Sequence, residues 1–180
     1  TIAQCLYTGI MTDTGSFRYP STTSETHRAV AHLIQLGADS ASIHQQVYDS
    51  APFSRLKLLG ITLSNLKKIP NLPIVFMTLT QKELESCEYQ KGDTEGFVNY
   101  GLSLEGIVFS SIMIENESEG KIKMSFRSQG AFSVNDFART YFDGGGHHNA
   151  AGGMSMDSMK TTVDRFKKAV EEIKDQFDAF

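Results

Sequence analysis

An α/β fold is predicted for this 180-residue chain by three features. Short apolar runs of strand length alternate with helical patterns along the sequence. Capping residues and Gly or Pro stops separate the two kinds of segment. A long amphipathic stretch closes the chain, and no internal repeat or low-complexity tract breaks the alternation.

Cys5 to Met11 is a mostly apolar run ended by Thr12-Asp13-Thr14-Gly15, and it suits a buried parallel strand opening into a loop. A helix follows Thr23-Ser24, with Glu25 in its first turn, an apolar stripe of Ala29, Val30, Leu33 and Ile34, and Gly37 as its end. Asp39 caps a second helix reaching about Tyr48. Helical spacing continues through Phe53, Leu56, Leu59, Leu63 and Leu66, although Gly60 interrupts it. Pro70 and Pro73 mark a domain boundary. Pro73 to Thr80 reads as a strand, and Gln81 to Tyr100 as two helical pieces broken at Lys91-Gly92-Asp93. Ile107–Ile114 and Lys121–Phe126 form paired strands across the turn Glu117-Ser118-Glu119-Gly120. Ser133 caps a helix that runs to Tyr141. Met159, Val163, Phe166, Val170, Ile173 and Phe177 then give one long helix a single apolar face.

Composition narrows the function. The net charge is −4, and a net-acidic chain is poorly suited to gripping long duplex DNA, which takes many basic contacts. A short anionic ligand needs only a local cluster of cations. Cys5 and Cys87 are too few for a disulfide framework and match no metal spacing. No stretch has the length of a membrane span or the form of a leader, so the cytoplasm is the default expectation. The chain opens on Thr1 directly before an apolar run, and we expect a preceding portion.

The strongest chemical signal is Gly144-Gly145-Gly146-His147-His148-Asn149-Ala150-Ala151-Gly152-Gly153. Consecutive glycines let backbone N–H groups approach an anion, and His147 adds a side-chain donor. The plainer alternative is a glycine turn that ends the preceding helix. Arg127 offers a planar fork for a terminal phosphate, or it is an ordinary paired strand residue. Asp13, among Thr12, Thr14 and Gly15, can share a hard cation with substrate oxygens; the alternative is an Asp turned onto its own backbone. His27, His32 and His44 share no metal spacing and are read as helix residues.

The segment Gly-Gly-Gly-His-x-x-Ala-Ala-Gly resembles the signature of the DHH-associated domain, the C-terminal partner of the DHH-family phosphoesterases in the RecJ-like superfamily. Lys123-Met124-Ser125-Phe126-Arg127-Ser128 is similar to the strand that supplies that domain's phosphate grip. Thr94-Glu95-Gly96-Phe97-Val98-Asn99 resembles the nanoRNase and pAp-phosphatase branch. Gly9 to Phe17 looks like the family's fourth catalytic motif, whose aspartate binds a catalytic metal. No Asp-His-His occurs in the chain.

The resemblance implies an α/β architecture in three parts. Residues 1–37 would be the C-terminal edge of a parallel-sheet DHH domain, 38–70 a helical connector, and 71–180 a smaller mixed-sheet DHH-associated domain. It implies hydrolysis of short single-stranded RNA or DNA oligonucleotides, or of a mononucleotide phosphate such as pAp, by an enzyme holding two Mn2+ ions (or Mg2+). Asp13 would be a catalytic metal ligand. Arg127, Ser128, Gly144, Gly145, Gly146 and His147 would hold substrate. With Asp13 as its one metal carboxylate, this chain alone is expected to be inactive. Two rival implications are a non-catalytic RNA-binding module like that of alanyl-tRNA synthetases, and a RecJ-like single-strand exonuclease.

Overall fold

The computed structural model describes residues 1–177, so the last three residues of the expected 71–180 domain lie outside the described residues. The fold divides into two compact units, the first ending at Pro52 and the second beginning at Phe53.

The first unit is helical: α1 (Ile2–Asp13), α2 (Ser24–Gln35) and α3 (Ser40–Tyr48). The strand predicted over Cys5–Met11 is therefore part of a helix. Ala3, Tyr7 and Met11 recur every fourth residue and are buried, whereas Cys5, Leu6 and Gly9 are exposed. That is a helical stripe, which a short apolar run does not distinguish from a strand. Val30, Leu33, Ala38 and Ile43 complete the small core. The predicted caps are present: the Thr23 hydroxyl accepts from the Thr26 amide, and Asp39 Oδ1 accepts from the Ser42 amide at 3.1 Å.

The second unit is built on a six-stranded mixed sheet among the described residues, in the order β1-β2-β3-β4-β6-β5. The strands are β1 (Lys67–Lys68), β2 (Ile74–Leu79), β3 (Phe109–Asn116), β4 (Lys121–Ser128), β5 (Gly145–His147) and β6 (Ala150–Ser155). Only β2 and β3 run parallel. The helices are α4 (Phe53–Ser64), α5 (Gln81–Ser86), α6 (Val134–Tyr141) and α7 (Met159–Glu172).

One face of the sheet carries a phenylalanine core. Phe76, Phe109, Phe126, Phe137, Phe142 and Phe166 are buried together with Val134, Ala138 and Val170 from α6 and α7. Phe109 lies 5.1 Å, centroid to centroid, from both Phe132 and Phe137. The other face holds a second cluster, Leu58, Met77, Leu79, Leu84, Phe97, Val98 and Ile112, under α4, α5 and a 3₁₀ turn over Phe97–Ser103.

Three expectations change here. Helix α4 runs straight through Gly60, where an added Cβ would meet nothing within 4 Å. Leu58 on α4 belongs to the second cluster, so the units separate at Pro52 and the expected 38–70 connector is split between them. Pro70 and Pro73 instead flank a tight turn at Asn71 (φ +61°) that joins β1 to β2. The terminal helix stops at Glu172, and Phe177 reaches the core from a following 3₁₀ turn, 4.7 Å from the Phe132 ring.

Helix α5 starts with a capping box that also ties it to the sheet. Glu83 Oε2 accepts from the Thr80 amide and hydroxyl, each at 2.8 Å, and Glu83 Oε1 accepts from Asn65 Nδ2 at 2.9 Å. Burial pushes the Glu83 carboxyl up, but these three donors outweigh it and hold the group below its ordinary value of 4.5. A carboxyl lowered in the fold contributes stability that is present above its unfolded value and lost as pH falls through its folded value. Glu83→Gln is therefore expected to destabilise the chain at neutral pH, with the gap to the parent narrowing below pH 4.5. Urea unfolding across that range is the check; a gap independent of pH would remove the linkage.

Candidate functional site

Strand β4 alternates strictly. Ile122, Met124, Phe126 and Ser128 are buried on the phenylalanine side, and Lys123, Ser125 and Arg127 point to the opposite face. On that face the helical cover lies over β2 and β3, and beyond it a cleft of about 670 Å³ opens over β4 and β6. Lys123, Ser125 and Arg127 line one wall, with Gly152 and Gly153 beside them. The opposite rim is Tyr89 and the Thr94-Glu95-Gly96 loop with Asn99, so the second resembling segment borders the same cleft. Two cations therefore face one carboxylate, Glu95, in a site with an apolar floor of Ile112 and Ile114. Arg127 Nη1 donates to the Phe126 carbonyl at 2.9 Å, which lays the guanidinium along its strand.

The glycine-histidine segment is a hairpin, not an open anion-binding loop. Gly145–His147 pairs with Ala150–Gly152 as β5 against β6. A Cβ at Gly144 would lie 2.0 Å from the Gly152 carbonyl oxygen, and one at Gly146 (φ +158°) 2.5 Å from that of Ala150. These two glycines are required by backbone contact with the partner strand. Their amides are engaged as well: Gly144 N donates to Ala138 O at 3.2 Å, and Gly146 N to Asn135 Oδ1 at 2.9 Å. Gly152 is different. A Cβ there would meet only ordinary contact, 3.5 Å from the Met124 oxygen, so its absence keeps the cleft wall low.

His147 is exposed at the end of β5. Its register partner is Ala150, which in turn pairs with Arg127, so the three share one row across the sheet. Two strand spacings, about 10 Å, separate the outer pair. His147 does not itself line the cleft. His148 has a structural bond: its Nε2 donates to the Ala131 carbonyl at 3.1 Å, since a carbonyl can only accept. Asn149 Nδ2 donates to Ser128 Oγ at 2.9 Å and to Gly130 O at 3.2 Å.

Ser128, expected to hold substrate, is buried on the core side. Its hydroxyl donates to Phe132 O at 2.7 Å and fixes the loop that enters α6. Strand parity explains the difference, because neighbouring residues face opposite ways, and Ser125 is the serine that shares a face with Arg127.

In the first unit, Asp13 is the exposed last residue of α1, at a helix end and not at the end of a strand. Thr14 caps the helix, its hydroxyl donating to Ile10 O at 2.7 Å and accepting from the Phe17 amide at 3.1 Å. His44, read from sequence as an ordinary helix residue, lies with Nε2 3.3 Å from Ser16 Oγ, and the His27 ring is 5.6 Å from Phe17. No sequence spacing signals either contact, because each joins the turn after α1 to a different helix, α3 or α2. Among the described residues, no three His, Cys, Asp or Glu side chains come together in a way that could hold a metal ion. The pair of ions implied by the resemblance therefore does not fit this chain's residues alone, and no chemical step is derived through it.

The second unit thus combines a mixed sheet sealed on one face by aromatic side chains, a cleft with two cations on the other, and a glycine-histidine edge hairpin. The DHHA1 domain family matches residues 84–179, more than half of the chain, and the chain belongs to that family. The bifunctional oligoribonuclease and PAP phosphatase of Thermus thermophilus is 33% identical over 175 residues, covering 95% of this chain and 50% of that protein. A probable bifunctional oligoribonuclease and PAP phosphatase of Streptococcus mutans is 31% identical over 153 residues, covering 85% and 48%. The crystal structure of an exopolyphosphatase-related protein from Bacteroides fragilis superposes with a TM-score of 0.93 at 40% identity, over 97% of this chain and 51% of that one. The chain thus spans about half the length of these relatives.

The hairpin analysis separates two neighbouring side chains. Asn149→Ala removes two hydrogen bonds and strips the buried Ser128 hydroxyl of a donor, so it is expected to cost roughly 1–2 kcal/mol. His147→Ala should stay within about 0.5 kcal/mol of the parent, as exposed surface changes do. Urea denaturation of both variants checks the difference, and equal effects would contradict the hairpin's division of labour.

Proposed function

We propose that this chain supplies the substrate-holding domain of a metal-dependent phosphoesterase that hydrolyses short oligonucleotides, pAp, or both. The observation that carries this reading is the cleft, with Lys123 and Arg127 four residues apart on one strand face above a low glycine wall. An Arg guanidinium suits two oxygens of one phosphate, and a Lys ammonium adds a point charge to the same or the next phosphate. Glu95 on the rim and the net charge of −4 disfavour a long polyanion and leave a short one acceptable. Ser125 adds a hydroxyl, and His147 stands in the Arg127 row for a substrate that extends along the sheet. Gly144 and Gly146 serve by letting the hairpin close against β6, which shapes the wall, and Gly145 lies between them beside Arg139 and Asn135. The names of the relatives support hydrolysis over a purely RNA-binding role, since the Thermus match takes in 95% of the chain.

Asp13 has the chemistry of one cation ligand in the intact enzyme. It sits at the C-terminal end of α1, where the helix dipole is negative. A carboxylate there is electrostatically unfavourable for the helix alone, and a bound cation would relieve both charges. Mn2+, or Mg2+, would supply an activated water and charge stabilisation when bound.

Two outcomes follow. In the full-length enzyme, Arg127→Ala, Lys123→Ala and His147→Ala are expected to raise KM for a dinucleotide, by roughly tenfold or more for Arg127, without changing bound manganese. His148→Ala should be milder. Unchanged KM in the Arg127 and Lys123 variants, or loss of metal in the His147 variant, would undo the assignment. The 180-residue chain alone should release no mononucleotide in the presence of Mn2+, and Asp13→Ala in the full-length enzyme should be folded and nearly inactive. Robust hydrolysis by either protein would show the active site to be elsewhere.

A further inference from the structure

The turn after Asp13 is held in an unfavourable conformation. Gly15, Ser16 and Phe17 follow one another at φ +56°, +58° and +65°. Two non-glycine residues in succession keep left-handed backbone only where their surroundings impose it. Some of that imposition is local. Ser16 N donates to Met11 O at 2.7 Å, Arg18 N to Thr14 O at 3.0 Å, and Arg18 Nε to Gly15 O at 2.8 Å. The Tyr19 ring covers Gly15 so closely that a Cβ there would fall 2.5 Å from it.

One restraint comes from a different helix. His44 on α3 places Nδ1 2.8 Å from the Ser40 carbonyl oxygen and Nε2 3.3 Å from Ser16 Oγ. A carbonyl accepts only, so Nδ1 carries the proton. With the proton on Nδ1, the ring in that tautomer presents a lone pair at Nε2, to which the Ser16 hydroxyl can donate. The ring itself is fixed, with Tyr7 edge-on at 6.0 Å and Tyr48 at 6.0 Å between centroids. Tyr7 also packs edge-on to Phe17 at 6.3 Å. The imidazole is thus clamped by its own helix on one side and grips the turn on the other.

The geometry points to His44 as a positioning residue for the Asp13 turn: as the Nδ1–H tautomer it anchors Ser16 and so fixes the path of the chain immediately after the carboxylate. This rests on the reading of Asp13 as a functional group and extends it to a side chain that touches neither Asp13 nor substrate. A carboxylate on a helix end that frays would sample many directions; one followed by a pinned left-handed turn is held to few.

The test has a spectroscopic arm and a kinetic arm. In long-range proton–nitrogen spectra of the histidine-labelled 180-residue chain, His44 is expected to show Nδ1 protonated and Nε2 bare. Ser16→Ala should shift the Nε2 resonance. His44→Phe keeps the stacking but loses the acceptor, and should speed amide exchange at Ser16 and Phe17 while leaving the sheet of the second unit protected, which also confirms folding. His44→Gln, whose amide oxygen can accept from Ser16, should restore most of that protection. In the full-length enzyme, His44→Phe should lower kcat roughly tenfold or more with KM unchanged, and His44→Gln should recover it. An Nε2–H tautomer, or exchange at Ser16 and Phe17 that ignores His44→Phe, would overturn the inference. Normal kcat in His44→Phe beside a dead Asp13→Ala would also overturn it and leave the Asp13 reading standing. An active Asp13→Ala would instead remove the Asp13 reading, with the tautomer and exchange results still deciding whether His44 holds the turn.

Discussion

The register of strand β4 is the constraint on which the second unit depends. Phe126 is wholly buried between Phe109, Phe137 and Phe142, with Met124 and Ile122 buried along the same side. A slip of one residue would drive Lys123 and Arg127 into that aromatic core and expose three large apolar side chains. The burial energy of the phenylalanine cluster thus fixes, from the far side of the sheet, which residues face the cleft. The side chains on that face stand on a firm support, because β4 is paired on both edges, with β3 and with β6.

The glycine-histidine segment shows how a sequence signal can be real while its mechanical reason differs from the obvious one. Glycine suits anion-cradling loops, and the run carries that expectation. The structure uses two of the three glycines to bring the hairpin into backbone contact with β6, while Gly153 makes room for the core, where a Cβ would lie 2.9 Å from Phe142 and 3.0 Å from the Phe126 ring. The side chains that follow then stitch this hairpin to the loop after β4, through His148 to Ala131 and Asn149 to Ser128 and Gly130. The segment builds the wall and braces the strand end that carries Arg127.

Elements with their own local code were legible in the sequence. α2, α3 and α6 announce themselves through Thr23, Asp39 and Ser133, whose side chains accept the expected amide bonds. β3 and β4 are apparent from their apolar runs and the turn between them. α1 was misread because a seven-residue apolar run has no decisive period, and β5 and β6 because glycine weakens every strand signal. In the cleft, Arg127 is the lining residue that a sequence motif singles out. The motif does not show strand parity, which turns Ser128 to the core side, and Tyr89 joins the cleft rim only through a loop's closure over the sheet, which is tertiary information. The histidines beside the Asp13 turn carry no signal for the same reason: His44 reaches Ser16 from α3 and has no spacing signature of its own.

Charge is distributed in a way that suits two different ligands. In the first unit, Asp13 lies at the negative end of α1, so this terminus favours a cation. In the second, Lys123 and Arg127 share one strand face with a single glutamate opposite, so the cleft favours an anion. A net charge of −4 does not conflict with that, because local fields in a concave site are set by the nearest groups more than by the total. Two cations can neutralise about as much charge as one or two phosphates carry, whereas a long strand needs a basic track that continues. The proposed preference for a short anion thus rests on how few cations the cleft lining offers.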